Sequence, residues 1–512
     1  MASRVTYSEA HGVRESTPDA DGREPGCAET CDAYQMPTRG TASMALMTRV
    51  VTGTVAAALV VAGGYAWADI HDFVPGILTI GPEPAPPAPF PTAPGASLGA
   101  SPTDTLATLD PDAPSPGTAE LQAAVDALLA DPAMGTSVGV VVSDALTGEV
   151  LVSATPGTPR VPASIQKIFT AAAALSTLDP DAVLTTTVTQ SAPGRLTLVG
   201  AGDMMLAAGV GSPTAVNGRA GLDDLAAQVS TSLGLTGVTT VRLALDDTLF
   251  TGSSTGPWAD DIPGLGFAAP VAAVAVDTGR LAEGEYAPRT PDPAMAAAQA
   301  FAVSLAAHGI TVEGAPTRGT SSADDTVVAS VDSAPLGEIV EYFLHTSDNT
   351  ITEVVARLVA IEAGLPASFA GSTQAVTQEL RRLGVDTTGL RLADASGLGD
   401  GSLASATTID QLLAVMSDGS HPELRTVMTG MPVAALDGTL TGRFVQSDAA
   451  GVVRAKTGSL PGVTSLAGNV LTADGRELLF VVMADEAPGP GQWGARAGID
   501  AFVVTLAGCG CR

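Results

Sequence analysis

The chain has 512 residues, enough for a large core and more than one domain. Its 54 acidic against 24 basic side chains leave a formal net charge of −30, which argues against nucleic acid as a partner and against a broad anionic membrane surface. The four cysteines, Cys27, Cys31, Cys509 and Cys511, lie near the two ends, and no Cys–His zinc spacing occurs, so neither a disulfide framework for the core nor a metal or other cofactor is expected.

Residues 1–46 read as a disordered tail. The run VVTGTVAAALVVAGGYAW, Val50 to Trp67, carries no charge and is near the lower length limit for crossing a bilayer. Arg39 and Arg49 precede it, and no lysine or arginine follows until Arg160, a bias that leaves the N-terminus in the cytoplasm and the rest outside. Residues 47–69 are therefore expected to be a single-pass signal-anchor. A signal peptide cleaved after Ala68 is the competing reading, because Ala66-Trp67-Ala68 has small residues on both sides of the tryptophan. Membrane association is expected through this segment only. Residues 70–118 form a linker, Pro/Ala-rich from 82 onward, that cannot build a core.

From Ala119, AELQAAVDALLAD shows helical spacing and ends at Asp131-Pro132. SVGVVVSDALTGEVLVSA reads as two strands around a turn at 145–148. A helix follows from Ser164, stopped by Asp179-Pro180. Residues 183–325 mix short strands, turns and one clear helix over 294–308. The last third alternates helices (349–363, 372–383, 409–416) with strands (462–472, 477–484).

Only two lysines occur, Lys167 in SIQKIFTAAAAL and Lys456 in VRAKTGSLPGV. Ser164 and Lys167, spaced i and i+3, share one face of the helix. A serine hydroxyl is a weak nucleophile without a base beside it. Lysine serves as that base once its pKa falls from about 10.4; arginine, always protonated, cannot. S-x-x-K alone is common and Lys456-Thr457-Gly458 alone reads as a turn. Ser347-Asp348-Asn349 alone would be a helix cap. Together, in this order, the three are the signature of penicillin-binding proteins and class A β-lactamases.

The sequence resembles the D-alanyl-D-alanine carboxypeptidases/endopeptidases of the penicillin-binding protein 4 type (class C, peptidase family S13), over roughly residues 119–505. LVGAGDMML (198–206), FAVSLAAHGITVEG, HTSDNTITEVVAR, LADASGLGDG with Asp394, Ser396 and Gly397, LDGTLTGRF and AKTGSLPGVTSLAGNV carry the likeness. Met204 stands where the family often has proline, and the stretch between the first two motifs is shorter than in three-domain members. The resemblance implies an α+β fold: a β-lactamase/transpeptidase-like domain (119–182 and 326–512), an antiparallel sheet flanked by helices, interrupted by a smaller inserted domain (183–325). It implies a serine-type D-Ala-D-Ala carboxypeptidase, with endopeptidase action as a second activity open to the same site, acting on peptidoglycan stem peptides and inhibited by β-lactam antibiotics. In it Ser164 is the nucleophile and Lys167 its base. Ser347 relays a proton to the leaving amine, Asn349 binds the substrate amide, and Lys456 supplies positive charge beside Ser347 and toward the substrate carboxylate. Thr457 and Ser459 hydrogen-bond that carboxylate, Gly458 lets the strand backbone approach, and the N–H groups of Ser164 and Ser459 form the oxyanion hole.

Two alternatives share the motifs, a β-lactamase and a catalytically inactive cell-wall scaffold. The first is disfavoured by the domain-sized stretch between Lys167 and Ser347, the second by the survival of every motif residue. Gly135-Thr136-Ser137-Val138-Gly139 fits G-x-S-x-G but leads into a strand rather than a helix. His345, near Ser347, reads as structural.

Overall fold

A computed structural model describes residues 61, 63–68, 112–489 and 493–509, and the chain divides into the units Met1–Thr103 and Asp104–Arg512. In the first unit, residues 61 and 63–68 are helical. The expected tail at 1–46, most of the Val50–Trp67 run and residues 70–111 of the linker lie outside the described residues. No helix among the described residues is long and apolar enough to cross a membrane.

In the second unit the helix Thr118–Ala130 buries Leu121, Val125 and Leu128, and β1 (Val138–Asp144) and β2 (Val150–Ala154) form the expected hairpin. Every residue of β1 is buried. Val141 faces the core that includes Ile168 and Phe169, while Val140 and Val142 face the opposite core. A strand covered on both faces needs no polar alternation, which is why VGVVV is apolar throughout. The segment at Ser164 opens as a 3₁₀ turn, Ala163–Gln166, and becomes α-helical only at Lys167, continuing to Thr177. That helix is alanine-rich because it lies inside the protein: all residues from Lys167 to Leu175 are buried.

Next comes a second sheet. β3 (Thr185–Ala192) and β4 (Arg195–Val199) form a hairpin and β6 (Thr240–Asp246) runs parallel to β4, while β5 (Asp203–Leu206) and β7 (Val274–Val276) pair in a small sheet of their own. β8 (Thr311–Val312) and β9 (Thr317–Arg318) add to β6, and β10 (Thr326–Asp332) pairs antiparallel with β3. Helices Leu222–Gly234 and Pro293–Ala307 supply Leu225, Val229, Phe301 and Leu305 to this sheet's own core. The boundary expected between 325 and 326 therefore needs correcting, since residues 326–332 belong to the inserted sheet. The β-branched residues of TVVASVD favour a strand but do not say which sheet it joins.

The chain returns through the helices Leu336–Thr346, Asn349–Glu362, Phe369–Arg382 and Ala406–Ser417, then β11 (Val453–Leu460), β12 (Val463–Leu471) and β13 (Glu477–Ala484). The main sheet is wholly antiparallel, in the order β11-β12-β13-β1-β2. One face packs on the helix Lys167–Thr177 and its neighbours, the other on Thr118–Ala130 and the C-terminal helix Trp493–Gly508. This is the α+β architecture expected, with the first and last parts of the chain meeting in one sheet through β1 and β13.

Asp144, 1 % exposed at the end of β1, gathers several segments. It accepts from Leu146 and Thr147 in the hairpin turn, from Ser115 Oγ, and from Arg476 Nε at 2.6 Å and Nη2 at 2.8 Å. Burial alone would raise its pKa, but the bonds from Arg476, Thr147, Ser115 and Leu146 outweigh burial and lower it. Asp144→Ala removes one partner of a buried ion pair, a loss of about 3–5 kcal/mol. Thermal unfolding followed by circular dichroism should show a lowered midpoint; an unchanged midpoint would refute the assignment.

Candidate active site

The 3₁₀ turn at Ala163–Gln166 puts Ser164 Oγ on the solvent side of a fully buried lysine. Ala163 has φ of +50°, an uncommon value for a residue with a Cβ, so the turn is held by its surroundings. Lys167 Nζ lies 2.9 Å from Ser164 Oγ, 2.6 Å from Asn349 Oδ1 and 2.9 Å from the Ser396 carbonyl oxygen. Burial lowers its pKa to about 8, opposed by the carboxylates of Asp394, Glu353 and Asp348.

Ser347 links the helices Leu336–Thr346 and Asn349–Glu362 in a left-handed conformation, φ +60°. Asp348 then caps the second helix by accepting from Ile351 N at 2.9 Å, so the tripeptide is both a cap and a site element. Lys456 Nζ lies 2.9 Å from Ser347 Oγ and 3.0 Å from the Thr457 carbonyl oxygen. It too is fully buried, and burial together with the neighbouring Lys167 charge pushes its pKa well below the ordinary value.

Lys456-Thr457-Gly458 lies within β11, on the edge of the main sheet, not in a turn. Ala455 N donates to Pro432 O away from β12, so strand alternation aims the N–H groups of Thr457 and Ser459 toward that same edge. Lys456 and Gly458 face the Ser164 side. A Cβ on Gly458 would overlap Ser465 Oγ and stand 2.7 Å from the Pro162 carbonyl, so only glycine lets the strand and the turn approach this closely. All eight expected site residues thus lie along one cleft. Ser164, Ser347, Asn349 and Thr457 are half-buried, Ser459 is exposed, and the two lysines lie behind them.

Several supporting residues were not assigned a role from the sequence. Glu353, one helical turn beyond Asn349 and 1 % exposed, accepts from the Ala395 and Ser396 N–H groups at 2.9 and 2.8 Å, fixing the loop whose Ser396 carbonyl holds Lys167. Burial and the Asp394 charge raise its pKa to about 8. Asp394 in turn accepts from Trp258 Nε1, Gly397 N and Gly399 N at 2.8, 2.8 and 2.6 Å. The inserted part reaches the second motif directly. Asn349 Nδ2 donates to the Phe267 carbonyl at 2.9 Å, and Arg280 lies 3.5 Å from Asp348. The i, i+4 spacing of Asn349 and Glu353 was legible; their partners, far away in sequence, were not. His345 stands 4.0 Å from Asp437 and takes no part in either lysine–serine pair, and Ser137 accepts from Arg160 just before β1.

The sequence pattern of the D-Ala-D-Ala carboxypeptidase 3 (S13) family matches residues 121–289 and 282–507. The carboxypeptidase DacB of Mycolicibacterium smegmatis is 38% identical over 439 residues, 84% of this chain and 91% of that protein. The D-alanyl-D-alanine carboxypeptidase of Actinomadura sp. is 34% identical over 506 residues, covering 82% of this chain and 89% of the relative. In fold, the crystal structure of penicillin binding protein 4 from Haemophilus influenzae superposes with a TM-score of 0.62 at 22% identity, over 75% of this chain and 98% of that one.

Gly458→Ala should separate β11 from the Pro162–Ser164 turn. A displacement on the order of 1 Å in such a site costs about 10²-fold in rate. The check is the acylation rate with a chromogenic β-lactam on protein of native circular dichroism; a rate equal to wild type would show that the close approach is dispensable.

Proposed function

The chain belongs to the D-Ala-D-Ala carboxypeptidase 3 (S13) family, as a serine peptidase of that kind, and from that premise we propose that it removes the terminal D-alanine of peptidoglycan stem peptides through an acyl-enzyme on Ser164. The observation that carries the residue assignment is the pairing of each buried lysine with a serine at 2.9 Å. With a pKa near 8, Lys167 has an accessible neutral form, and its Nζ takes the Ser164 proton as Oγ attacks the penultimate D-alanine carbonyl. The N–H groups of Ser164 and Ser459 receive the oxyanion. Asn349 orients the substrate amide, and the exposed edge of β11 offers the backbone of Thr457 and Ser459 to an extended peptide. Ser347 passes a proton to the departing amine, with Lys456 Nζ behind it. Water then attacks the ester by the reverse path. β-Lactams acylate the same serine but leave no diffusible amine, so they block it. No cofactor enters the scheme.

The apolar run at 50–67 supports a catalytic part on the outer face of the cell membrane, where peptidoglycan lies, anchored if the run is retained. N-terminal sequencing of the mature protein discriminates: a start at Asp69 would replace the anchor with a secreted form.

Ser164→Ala should abolish both D-alanine release and the mass increase after penicillin treatment, and an adduct persisting in that variant would overturn the assignment. Lys167→Arg retains charge but not the neutral form, so acylation should fall by about 10²-fold or more. In the wild type, acylation should rise with pH and level off above about 8, because the deprotonated amine is the active form. A flat profile between pH 6 and 9 would exclude Lys167 as the base.

A further inference from the structure

A peptide ending in D-alanine brings a carboxylate to a protein whose formal net charge is −30, so some local cation must offset the repulsion. Lys456 is poorly placed for it. Its ammonium is fully buried, held by Ser347 Oγ and the Thr457 carbonyl, and its side chain lies on the Ser164 side of β11. Thr457 and Ser459 alternate to the other face, the one covered by the C-terminal helix: Val453, Ala455 and Leu466 pack there with Ile499, Phe502 and Val503. Their hydroxyls orient an anion but do not neutralise it.

Arg496 belongs to that helix and supplies what is missing. Its Nη2 is 3.4 Å from Ser459 Oγ, and its guanidinium is half-exposed above the same sheet face. Trp493 stacks on it at 4.7 Å, which fixes the plane of the guanidinium without occupying its donors. The nearby Arg443 is committed to Asp500 through two nitrogens and stacks on Phe444. Arginine also keeps its charge where lysine can lose it, and burial lowers the pKa of Lys456.

We propose that Arg496 is a specificity-determining residue of this enzyme, binding the terminal carboxylate of the substrate beside Ser459 and so selecting peptides with a free C-terminus. This rests on the carboxypeptidase reading above. The guanidinium acts by binding and takes no part in proton transfer.

The test uses the full chain and two peptides, one ending in D-Ala-D-Ala as the free acid, the other identical but ending in a C-terminal amide. Arg496→Gln should raise KM for the free acid by about 10-fold or more, the range for losing a hydrogen bond between charged groups, with kcat changed by less than about twofold. On the amide, kcat/KM of the variant should stay within about twofold of wild type. Arg496→Lys should restore part of the free-acid affinity. Equal losses on both peptides would reduce Arg496 to a structural contact of the C-terminal helix and overturn the proposal. So would an unchanged KM for the free acid. Failure of the carboxypeptidase reading would appear differently, as absence of D-alanine release by the wild-type protein itself, and would remove the proposal with it.

Discussion

Two ammonium groups, each 2.9 Å from a serine hydroxyl and shut away from water, set the requirements that the rest of the structure meets. An ammonium in such a place is costly unless it is hydrogen-bonded, and the cost falls if it sheds its proton. Lys167 meets both conditions: three oxygens surround it, and burial brings its pKa to about 8. The proximity of the two lysines adds repulsion, which pushes Lys456 further in the same direction. A pair of neighbouring cations would be a defect in an ordinary core. Here its effect falls on Lys456, while burial is what brings the Lys167 amine within reach of its neutral form beside Ser164.

Holding those three oxygens in place needs parts of the chain that are far apart. Ser164 comes from the turn before the central helix, Asn349 from the second motif, and Ser396 from a loop pinned by Glu353 and Asp394. The inserted part is more than an appendage, since its Phe267 carbonyl and Arg280 restrain Asn349 and Asp348, and its Trp258 restrains Asp394. Two residues with left-handed backbones, Ala163 and Ser347, flank the cleft. Such conformations persist where neighbouring contacts over-determine them, and they put both hydroxyls at the mouth with the lysines behind.

Much of this was legible beforehand. The periodic helices at 118–130, 293–307 and 349–362, the first hairpin and the last two strands were evident because apolar spacing reports local burial directly. The eight candidate residues were legible because their types are chemically irreplaceable and their order is distinctive. Less visible was the 3₁₀ opening at Ala163–Gln166, since local propensity does not distinguish it from the first turn of an α-helix. The partners of Glu353 and Asn349 were hidden too, because hydrogen bonds across long sequence separations leave no periodic trace.

By itself, then, the sequence determined which reactive residue types stand at which spacing: a serine with a lysine one turn away, and a second lysine with a glycine two positions later. Those features reside in residue identity and short spacing, which the linear chain carries in full. Only the tertiary structure decided which sheet residues 326–332 join, that Glu353 fixes the Ala395-Ser396 loop, and that Arg496 stands beside Ser459. Each of these depends on which surfaces meet when the cores close, and burial and pKa follow from that meeting, not from the order of residues along the chain.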